Sequence, residues 1–323
     1  MKILVTRKIP EPGLSKLQNF DADLVLNQEN RNLSNEELKQ LSSDVDAILT
    51  MLADKIDAAF LQSHPGLKVV ANYAVGFNNI NIEAATKNDV VITNTPGVLT
   101  DTTADLAWSL LMAISRRVVE ADKFTRAGKF KGWAPELLFG SDVYGKTLGI
   151  IGAGRIGQAT ARRAAGFDMK VIYHNRSQKE NFEKETGALR VSLNNLLKES
   201  DFVSLHVPLT DETHYMIDID ELKLMKNNAF LINTARGPVV NEKILARALE
   251  EKWIAGAALD VFEQEPQVHP QLFDLDNVIL TPHIGSATDQ TRNRMAEMAA
   301  ESIIAVLSGK KPKNVVNSEI YDK

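Results

Sequence analysis

The feature that most constrains the fold is a glycine-rich segment, Gly152-Ala153-Gly154-Arg155-Ile156-Gly157. The apolar run TLGII precedes it, the helix-forming run QATARRAAG follows it, and a second apolar run, KVIYH, completes a unit of about 30 residues. In such a unit the first glycine permits a tight turn, the second lets a pyrophosphate approach the backbone, and the third lets helix and strand pack closely. The N-terminus of the helix faces the anion, and Arg155 and Ile156 are predicted to bind the cofactor with the three glycines. The segment therefore predicts a dinucleotide-binding domain.

Short apolar runs alternate with amphipathic helical patterns along the chain, which predicts an α/β protein with parallel sheets. In the first hundred residues, KILVT, VDAILT, LKVVANYA and VVITNTPG are predicted strands. Ser34 and Glu37 have the spacing of a helix-capping box. Six further strands follow in the second part, as two mononucleotide-binding halves require. They are TLGII, KVIYH, DFVSLHV, AFLINT, IAGAALDVF and NVILTPH.

Two long helical patterns mark the domain boundaries. The first, DTTADLAWSLLMAISRRVVEADKFTRAG, reads as one helix that Asp101 can cap. The last, DQTRNRMAEMAAESIIAVLSG, precedes no strand of its own, so we expect it to return to the first domain. The fold class is therefore α/β with two doubly wound parallel-sheet domains. A Rossmann cofactor domain (100–287) is inserted in a flavodoxin-like substrate domain (1–99 and 288–323).

Composition excludes several classes of function. The net charge of −5 and the pI of about 5.8 argue against a nucleic-acid partner, which usually leaves a basic footprint. The chain has no cysteine, so disulfides, thiolate metal sites and cysteine nucleophiles are excluded, and no cluster has metal-ligand spacing. No run approaches the roughly 18 apolar residues of a membrane span, and the N-terminus reads as a strand, not a signal peptide. We expect a cytoplasmic protein with no membrane partner.

The second strand of the dinucleotide unit ends in HNRS, residues 174–177. An acidic residue usually stands there to hold a ribose hydroxyl, but Asp168 precedes this strand and Glu180 follows too late. Without that carboxylate a 2′-phosphate is not repelled, and an arginine can pair with it. We predict a preference for NADP(H), with NAD(H) possible; alternatively, the arginine is a solvated surface residue and NAD is used. The predicted phosphate ligands are Asn175, Arg176 and Ser177.

Polar residues follow three of the predicted strands, in INTARGPVV, ALDVFEQEP and LTPHIGSAT. The carboxyl ends of strands line the ligand crevice of an open parallel sheet. Taken singly, these residues could be a surface ion-pair partner, a solvated loop acid or a turn histidine. Together, beside a nucleotide loop, they indicate an active site. Its candidate residues are Arg236, Asp260, Glu265 and His283.

These motifs, with ANYAVGFNNI and TTADLA nearer the N-terminus, give the chain a clear family resemblance. Over nearly its whole length it resembles the D-isomer-specific 2-hydroxyacid dehydrogenases. HNRS and GWAPELLFG make it most similar to the glyoxylate/hydroxypyruvate reductase branch, which includes 2-ketogluconate reductases. The resemblance implies NAD(P)H-dependent reduction of glyoxylate, hydroxypyruvate or 2-ketogluconate to the D-2-hydroxy acid. It also implies a homodimer.

The resemblance further assigns roles to residues. His283 would be the general acid–base group, Glu265 would pair with it, and Arg236 would hold the substrate carboxylate. Backbone donors at Val75 and Gly76 would grip the same carboxylate. Trp133 would either touch substrate across a dimer or simply pack. Asp260 would receive the nicotinamide carboxamide, and the cofactor would be lined by Thr103, Pro208, Thr213, Thr234 and Ala235.

Other functions stay open at this point. A formate dehydrogenase pairs its histidine with glutamine, which Glu265 argues against. A D-3-phosphoglycerate dehydrogenase-like enzyme is possible, because versions without a long C-terminal extension exist. A non-catalytic, cofactor-sensing scaffold could keep all three catalytic candidates, Arg236, Glu265 and His283.

Overall fold

The computed structural model describes residues 1–29 and 31–322. Its internal contacts divide the chain into two compact units, residues 1–99 with 286–323 and residues 100–285. Each unit is built on a parallel sheet, as the alternating pattern predicts. The second break falls after Gly285, two residues before the boundary expected from the sequence.

The first unit has a five-stranded sheet. Its strands are β1 (Lys2–Val5), β2 (Asp23–Leu26), β3 (Ala47–Thr50), β4 (Val69–Asn72) and β5 (Val91–Thr93). The order β2-β1-β3-β4-β5 is the flavodoxin-like order. The four predicted strands are confirmed, and β2, an edge strand with an exposed first residue, was not predicted. Its helices are α1 (Glu11–Gln18), α2 (Asn35–Leu41), α3 (Ala58–Gln62), α4 (Ile82–Lys87) and the C-terminal helix (Asp289–Leu307).

Close packing and capping fix the helices of this unit. The C-terminal helix lies against α1 so closely that a Cβ atom on Gly13 would stand 2.5 Å from the Ala296 carbonyl. The Ser34–Glu37 capping box is confirmed: the Ser34 hydroxyl accepts from the Glu37 amide at 3.2 Å, and the Glu37 carboxylate accepts from the Ser34 amide at 2.7 Å. The C-terminal helix therefore contributes directly to the core of the first unit.

The second unit has a seven-stranded sheet. Its strands are β6 (Thr147–Ile151), β7 (Lys170–His174), β8 (Leu189–Arg190), β9 (Phe202–Leu205), β10 (Phe230–Asn233), β11 (Gly256–Leu259) and β12 (Val278–Leu280). The order β12-β11-β10-β9-β6-β7-β8 is the Rossmann order with one additional strand. The six predicted strands are confirmed. In that order the additional strand is β12, whereas the strand that was not predicted is β8, whose two exposed residues carry no strand pattern.

The helices of the second unit correct two predictions. The pattern from Asp101 onward is not one helix, because Arg117 has a left-handed φ of 53° that ends α5 and starts α6. Asp101 is not the cap either, since α5 begins one residue earlier and Asp101 lies in its first turn. The helices are α5 (Thr100–Ser115), α6 (Val118–Arg126), α7 (Arg155–Arg163), α8 (Glu180–Thr186), α9 (Leu193–Glu199), α10 (Ile219–Leu224) and α11 (Glu242–Glu250); we name the C-terminal helix α12.

Strands β9, β10 and β11 are buried at every residue, so apolar layers cover both faces of the sheet. Polar side chains are concentrated where these strands end. Within residues 1–29 and 31–322, no helix combines the length and apolarity needed to cross a bilayer. The same residues contain no cluster of three side chains that could hold a metal ion.

Candidate active site

The glycine loop joins β6 to α7 in the predicted manner. Gly152 has a φ of +95°, and a Cβ atom there would lie 2.7 Å from the His206 carbonyl. A Cβ atom on Gly157 would stand 2.1 Å from the Gly152 oxygen, so helix and loop touch. At Gly154, by contrast, a Cβ atom would meet nothing within 4 Å. Two glycines are therefore required by packing, and the middle one leaves an open approach to the backbone.

The surroundings of this loop fit a dinucleotide. Gly154 is the N-cap of α7 and supplies no side-chain hydrogen bond, which leaves the first amides, including those of Arg155 and Ile156, for an anion. The Thr234 hydroxyl is buried and has no hydrogen-bond partner among the described residues. The Thr213 hydroxyl donates to the Pro208 carbonyl at 2.6 Å and so shapes the loop after β9.

The HNRS segment is tied to the glycine loop. The Asn175 Oδ1 atom accepts from the Ala153 amide at 3.2 Å, and its Nδ2 atom donates to the Ser177 carbonyl at 2.8 Å. The Arg176 side chain is exposed. Arg190, on β8, donates to the carbonyls of residues 175 and 176 at 3.1 and 2.8 Å. Sequence analysis missed Arg190 because β8 was not predicted.

His283 and Glu265 form the central pair. The Nδ1 atom of His283 lies 2.8 Å from Oε2 of Glu265, and their side chains are 33% and 36% exposed. The other Glu265 oxygen accepts from the Phe262 amide at 3.2 Å. Burial acts to raise the pKa of Glu265, but His283, the Phe262 amide and the charge of Arg236 outweigh it. The pKa of Glu265 therefore lies below its ordinary value, and the carboxylate form is favoured.

Arg236 lies beside this pair at the end of β10. Asn233 shapes the turn: its Nδ2 atom donates to the Arg236 carbonyl at 2.9 Å, and its Oδ1 atom accepts from the Ala235 amide at 3.0 Å. Burial lowers the pKa of Arg236, and the charge of Glu265 opposes that shift. Arginine still keeps its charge in such surroundings. The site thus holds a half-enclosed guanidinium suited to an anionic group.

Asp260 braces the turn that carries His283. Its Oδ1 atom accepts from the Thr281 hydroxyl at 2.6 Å and from the Ile284 amide at 2.8 Å. Its Oδ2 atom accepts from the Gly285 amide at 2.8 Å, while the Gly285 carbonyl accepts from Thr103 at 3.1 Å. Burial raises the pKa of Asp260, against the effect of these bonds. The predicted role of Asp260 toward a carboxamide stays a prediction, but its bracing of this turn is direct.

Val75 and Gly76 lie in the first unit, in the loop after β4. The Asn94 Nδ2 atom donates to the Val75 carbonyl at 2.7 Å, and the Asn72 Nδ2 atom donates to the Gly76 carbonyl at 2.8 Å. Both carbonyls are therefore fixed by asparagines at strand ends. Sequence analysis missed these two asparagines, although their positions at the ends of apolar runs were a usable signal.

Within the described part of the chain, two other histidines, His206 and His64, contact serine hydroxyls and not carboxylates. His206 has its Nε2 atom 2.9 Å from the Ser204 hydroxyl, and burial lowers its pKa to about 3. His64 is buried, with its Nε2 atom 2.8 Å from the Ser42 hydroxyl. His206 is therefore neutral near pH 7, whereas His283 is paired with the Glu265 carboxylate.

Comparison with known proteins agrees with this geometry. A family model described as "D-isomer specific 2-hydroxyacid dehydrogenase, NAD binding domain" matches residues 108–285. A glyoxylate reductase of Thermococcus onnurineus is 54% identical over 326 residues, covering 99% of this chain and 97% of that protein. A glyoxylate reductase of Korarchaeum cryptofilum is 53% identical, covering 99% and 96%.

A solved structure adds the same result in three dimensions. The NADPH-dependent glyoxylate/hydroxypyruvate reductase of Sinorhizobium meliloti, in complex with NADP and malonate, has a TM-score of 0.86 and 33% identity. The match covers 98% of this chain and 96% of that one. The fold of this chain therefore has a counterpart in a solved relative that it matches over nearly its whole length. The chain belongs to the D-isomer specific 2-hydroxyacid dehydrogenase family.

Proposed function

We propose that the protein is an NADP(H)-preferring glyoxylate reductase that reduces a small 2-keto acid to the D-2-hydroxy acid. The observation that carries this proposal is the His283–Glu265 pair at 2.8 Å, with Arg236 close enough for its charge to affect Glu265. An imidazole can give a proton to a carbonyl oxygen, and a guanidinium fork can hold a carboxylate. The full-length similarity to glyoxylate reductases supports this substrate class.

In the proposed mechanism, bound NADPH supplies the hydride. Glu265 engages Nδ1 of His283, so Nε2 is the atom that delivers a proton to the substrate oxygen. The Glu265 carboxylate forms a charge-assisted hydrogen bond with Nδ1 of His283 and so fixes the orientation of the imidazole ring. Arg236 orients the substrate carboxylate, and the backbone amides at Val75 and Gly76 are proposed to bind it too.

The cofactor preference is proposed from the HNRS segment and Arg176. Asn175 and Ser177 would supply further donors to the 2′-phosphate, and the Sinorhizobium meliloti relative is an NADPH-dependent enzyme bound to NADP. A charge-assisted bond contributes roughly 1.5–3 kcal/mol, and less at an exposed site. We expect Arg176→Ala to lower kcat/KM with NADPH about tenfold, which corresponds to about 1.4 kcal/mol. Equal losses with NADPH and NADH, or better use of NADH by the unaltered enzyme, would contradict the preference.

The substrate is tested with a panel of 2-keto acids and both cofactors, followed by nicotinamide absorbance. We expect turnover of glyoxylate. The values of kcat/KM for hydroxypyruvate, 2-ketogluconate and 3-phosphohydroxypyruvate then show which group beyond the 2-keto carboxylate of the substrate the enzyme prefers. Best turnover of 3-phosphohydroxypyruvate would favour the phosphoglycerate dehydrogenase alternative. Tight NADPH binding without any turnover would favour a cofactor-sensing scaffold. His283→Ala should lower kcat by about 10²-fold or more and leave NADPH binding intact.

A homodimer is proposed from the exposed apolar side chains of residues 118–144. Seven of the thirteen exposed large apolar side chains of the described residues belong to this segment. Trp133 is 84% exposed and Phe139 66% exposed, so Trp133 does not pack within its own unit. A cavity of about 300 Å³ beside Phe139, at the edge where β10 and β12 begin, borders the same surface. Such patches typically mark interfaces. Sedimentation should show a dimer, and a monomer at micromolar concentration would contradict it.

A further inference from the structure

The loop between residues 262 and 269 carries Glu265, and one buried carboxylate holds both of its ends. Glu242, the first residue of α11, is 4% exposed. Its Oε1 atom accepts from the Glu263 amide, and its Oε2 atom accepts from the His269 amide at 3.2 Å. The two oxygens of one side chain therefore bracket the segment that contains Glu265.

Glu242 and Glu263 bind each other's backbone, and we call this pair of contacts the Glu242–Glu263 joint. The Oε1 atom of Glu263 accepts from the Glu242 amide at 2.7 Å, so each residue binds the backbone of the other. Within the bracketed segment, the Gln267 amide donates to the Gln264 carbonyl at 2.8 Å and closes a tight turn around Glu265. With its ends fixed and its middle closed, the loop leaves little freedom to the Glu265 backbone.

A carboxylate suits this position for two reasons. It offers acceptors on both oxygens, whereas a glutamine would turn an NH2 group toward one of the two backbone amides. It also lies in the first turn of α11, where a negative charge interacts favourably with the helix dipole. Glutamine at this position should therefore release one end of the loop while keeping the size of the side chain.

We propose that Glu242 is a positioning residue for the reaction: it sets Glu265 at the distance from which Glu265 orients His283. This inference rests on the proposed function, because it acts through the Glu265–His283 pair. Among the described residues, the Glu242 carboxylate hydrogen-bonds to the amides of residues 263 and 269, and not to Glu265 or His283. Its effect should therefore depend on Glu265 being present.

The test is a double-mutant cycle of Glu242→Gln and Glu265→Gln, with Glu250→Gln as the matched control on the exposed end of the same helix. A catalytic group misplaced by about 1 Å can cost about 10²-fold, so we expect Glu242→Gln to lower kcat by roughly 10- to 100-fold. The pH profile of kcat/KM should move in the same direction as in Glu265→Gln, because both changes act on the Glu265–His283 pair. Dissociation constants for NADPH should stay unchanged.

The cycle gives the discriminating result. In the Glu265→Gln background, adding Glu242→Gln should lower kcat by less than about threefold, because coupled residues are non-additive. Losses that multiply, or a Glu242→Gln enzyme with a lower Tm but normal kcat and pH profile, would overturn the inference while the proposed function stands. A normal Glu265→Gln enzyme would instead overturn the proposed function itself.

Glu263→Gln keeps the test decisive if Glu242→Gln does not fold. Glu263 is only partly buried and holds the same joint from the other side. We expect a smaller loss of kcat, several-fold, with the same direction of shift in the pH profile. A wild-type kcat and pH profile in Glu263→Gln would count against positioning through this joint.

Discussion

Gly237 separates Arg236 from the loop that carries Glu265, and alanine at this position should disrupt the site. A Cβ atom there would lie 1.9 Å from the Phe262 carbonyl and 2.4 Å from the Glu263 amide nitrogen. Ordinary contacts of a Cβ atom begin at 3.4 Å, so the two backbones must separate by about 3.4 − 1.9 = 1.5 Å. Because both neighbours are backbone, no side-chain rotation relieves the clash.

A displacement of this size acts directly on the geometry between Arg236 and Glu265. Since a 1 Å misplacement can cost about 10²-fold, we expect kcat/KM for glyoxylate to fall by at least about 100-fold in Gly237→Ala. Overpacking should also cost about 1–3 kcal/mol of unfolding free energy. Steady-state kinetics and urea denaturation measure the two effects, and fluorescence titration should show NADPH affinity within about threefold of the unaltered protein, because the glycine loop is not displaced.

The matched control is Gly166→Ala. A Cβ atom on Gly166 would meet nothing within 4 Å, so this variant should be normal in stability and activity. A folded Gly237→Ala enzyme with normal kcat/KM would refute the reasoning, since Arg236 and Glu265 would then not need their close spacing. Equal losses of activity and NADPH affinity would also refute it, because the damage would not be confined to these two residues.

Further predictions concern the two glycines of the cofactor loop and one buried carboxyl group. Gly154→Ala should keep the Tm but weaken NADPH binding, whereas Gly152→Ala should lower the Tm, because Gly152 has a φ of +95° and a close carbonyl neighbour. Thermal melts with and without NADPH separate the two, and equal Tm losses would contradict this difference. Burial raises the pKa of Asp54, so the folded state binds more protons than the unfolded state, whose pKa is about 3.9. Stability should therefore fall as pH rises from that value through the folded pKa, and Asp54→Asn should remove this fall in urea melts across that range.

Much of the fold was predictable because buried, mostly apolar strands carry a local signal. Strands β9, β10 and β11 are buried at every residue and mostly apolar, and the capping box at Ser34 depends on residues three positions apart. Edge strand β8 has only two residues, and β2 begins with an exposed aspartate, so neither has a pattern strong enough to predict. The break at Arg117 was missed because a left-handed residue inside a helical pattern leaves no periodic trace.

The candidate site was predictable in its charged residues and not in the groups that hold them. Arg236, Glu265 and His283 each follow an apolar run that forms a strand, and parallel strands bring their carboxyl ends to one edge. Glu242, the first residue of α11, and Arg190, on β8, bind backbone groups that are distant in the sequence, so their contacts depend on tertiary structure. No spacing in the sequence indicates that Glu242 reaches the amides of residues 263 and 269.

The polar side chains that fix the reactive residues, such as Asn233 and Asp260, act in the same way. A polar side chain at or near a strand end binds backbone amides or carbonyls of the turn that presents each reactive residue: Asn233 below Arg236, Asp260 below His283. Such bonds fix turns whose residues have unusual backbone conformations, including the φ of 53° at His283. Because a non-glycine residue at positive φ is strained, the turn persists only where its surroundings determine it. Removing Asp260 should therefore misplace His283 more than it unfolds the sheet, since the apolar core beneath it stays intact.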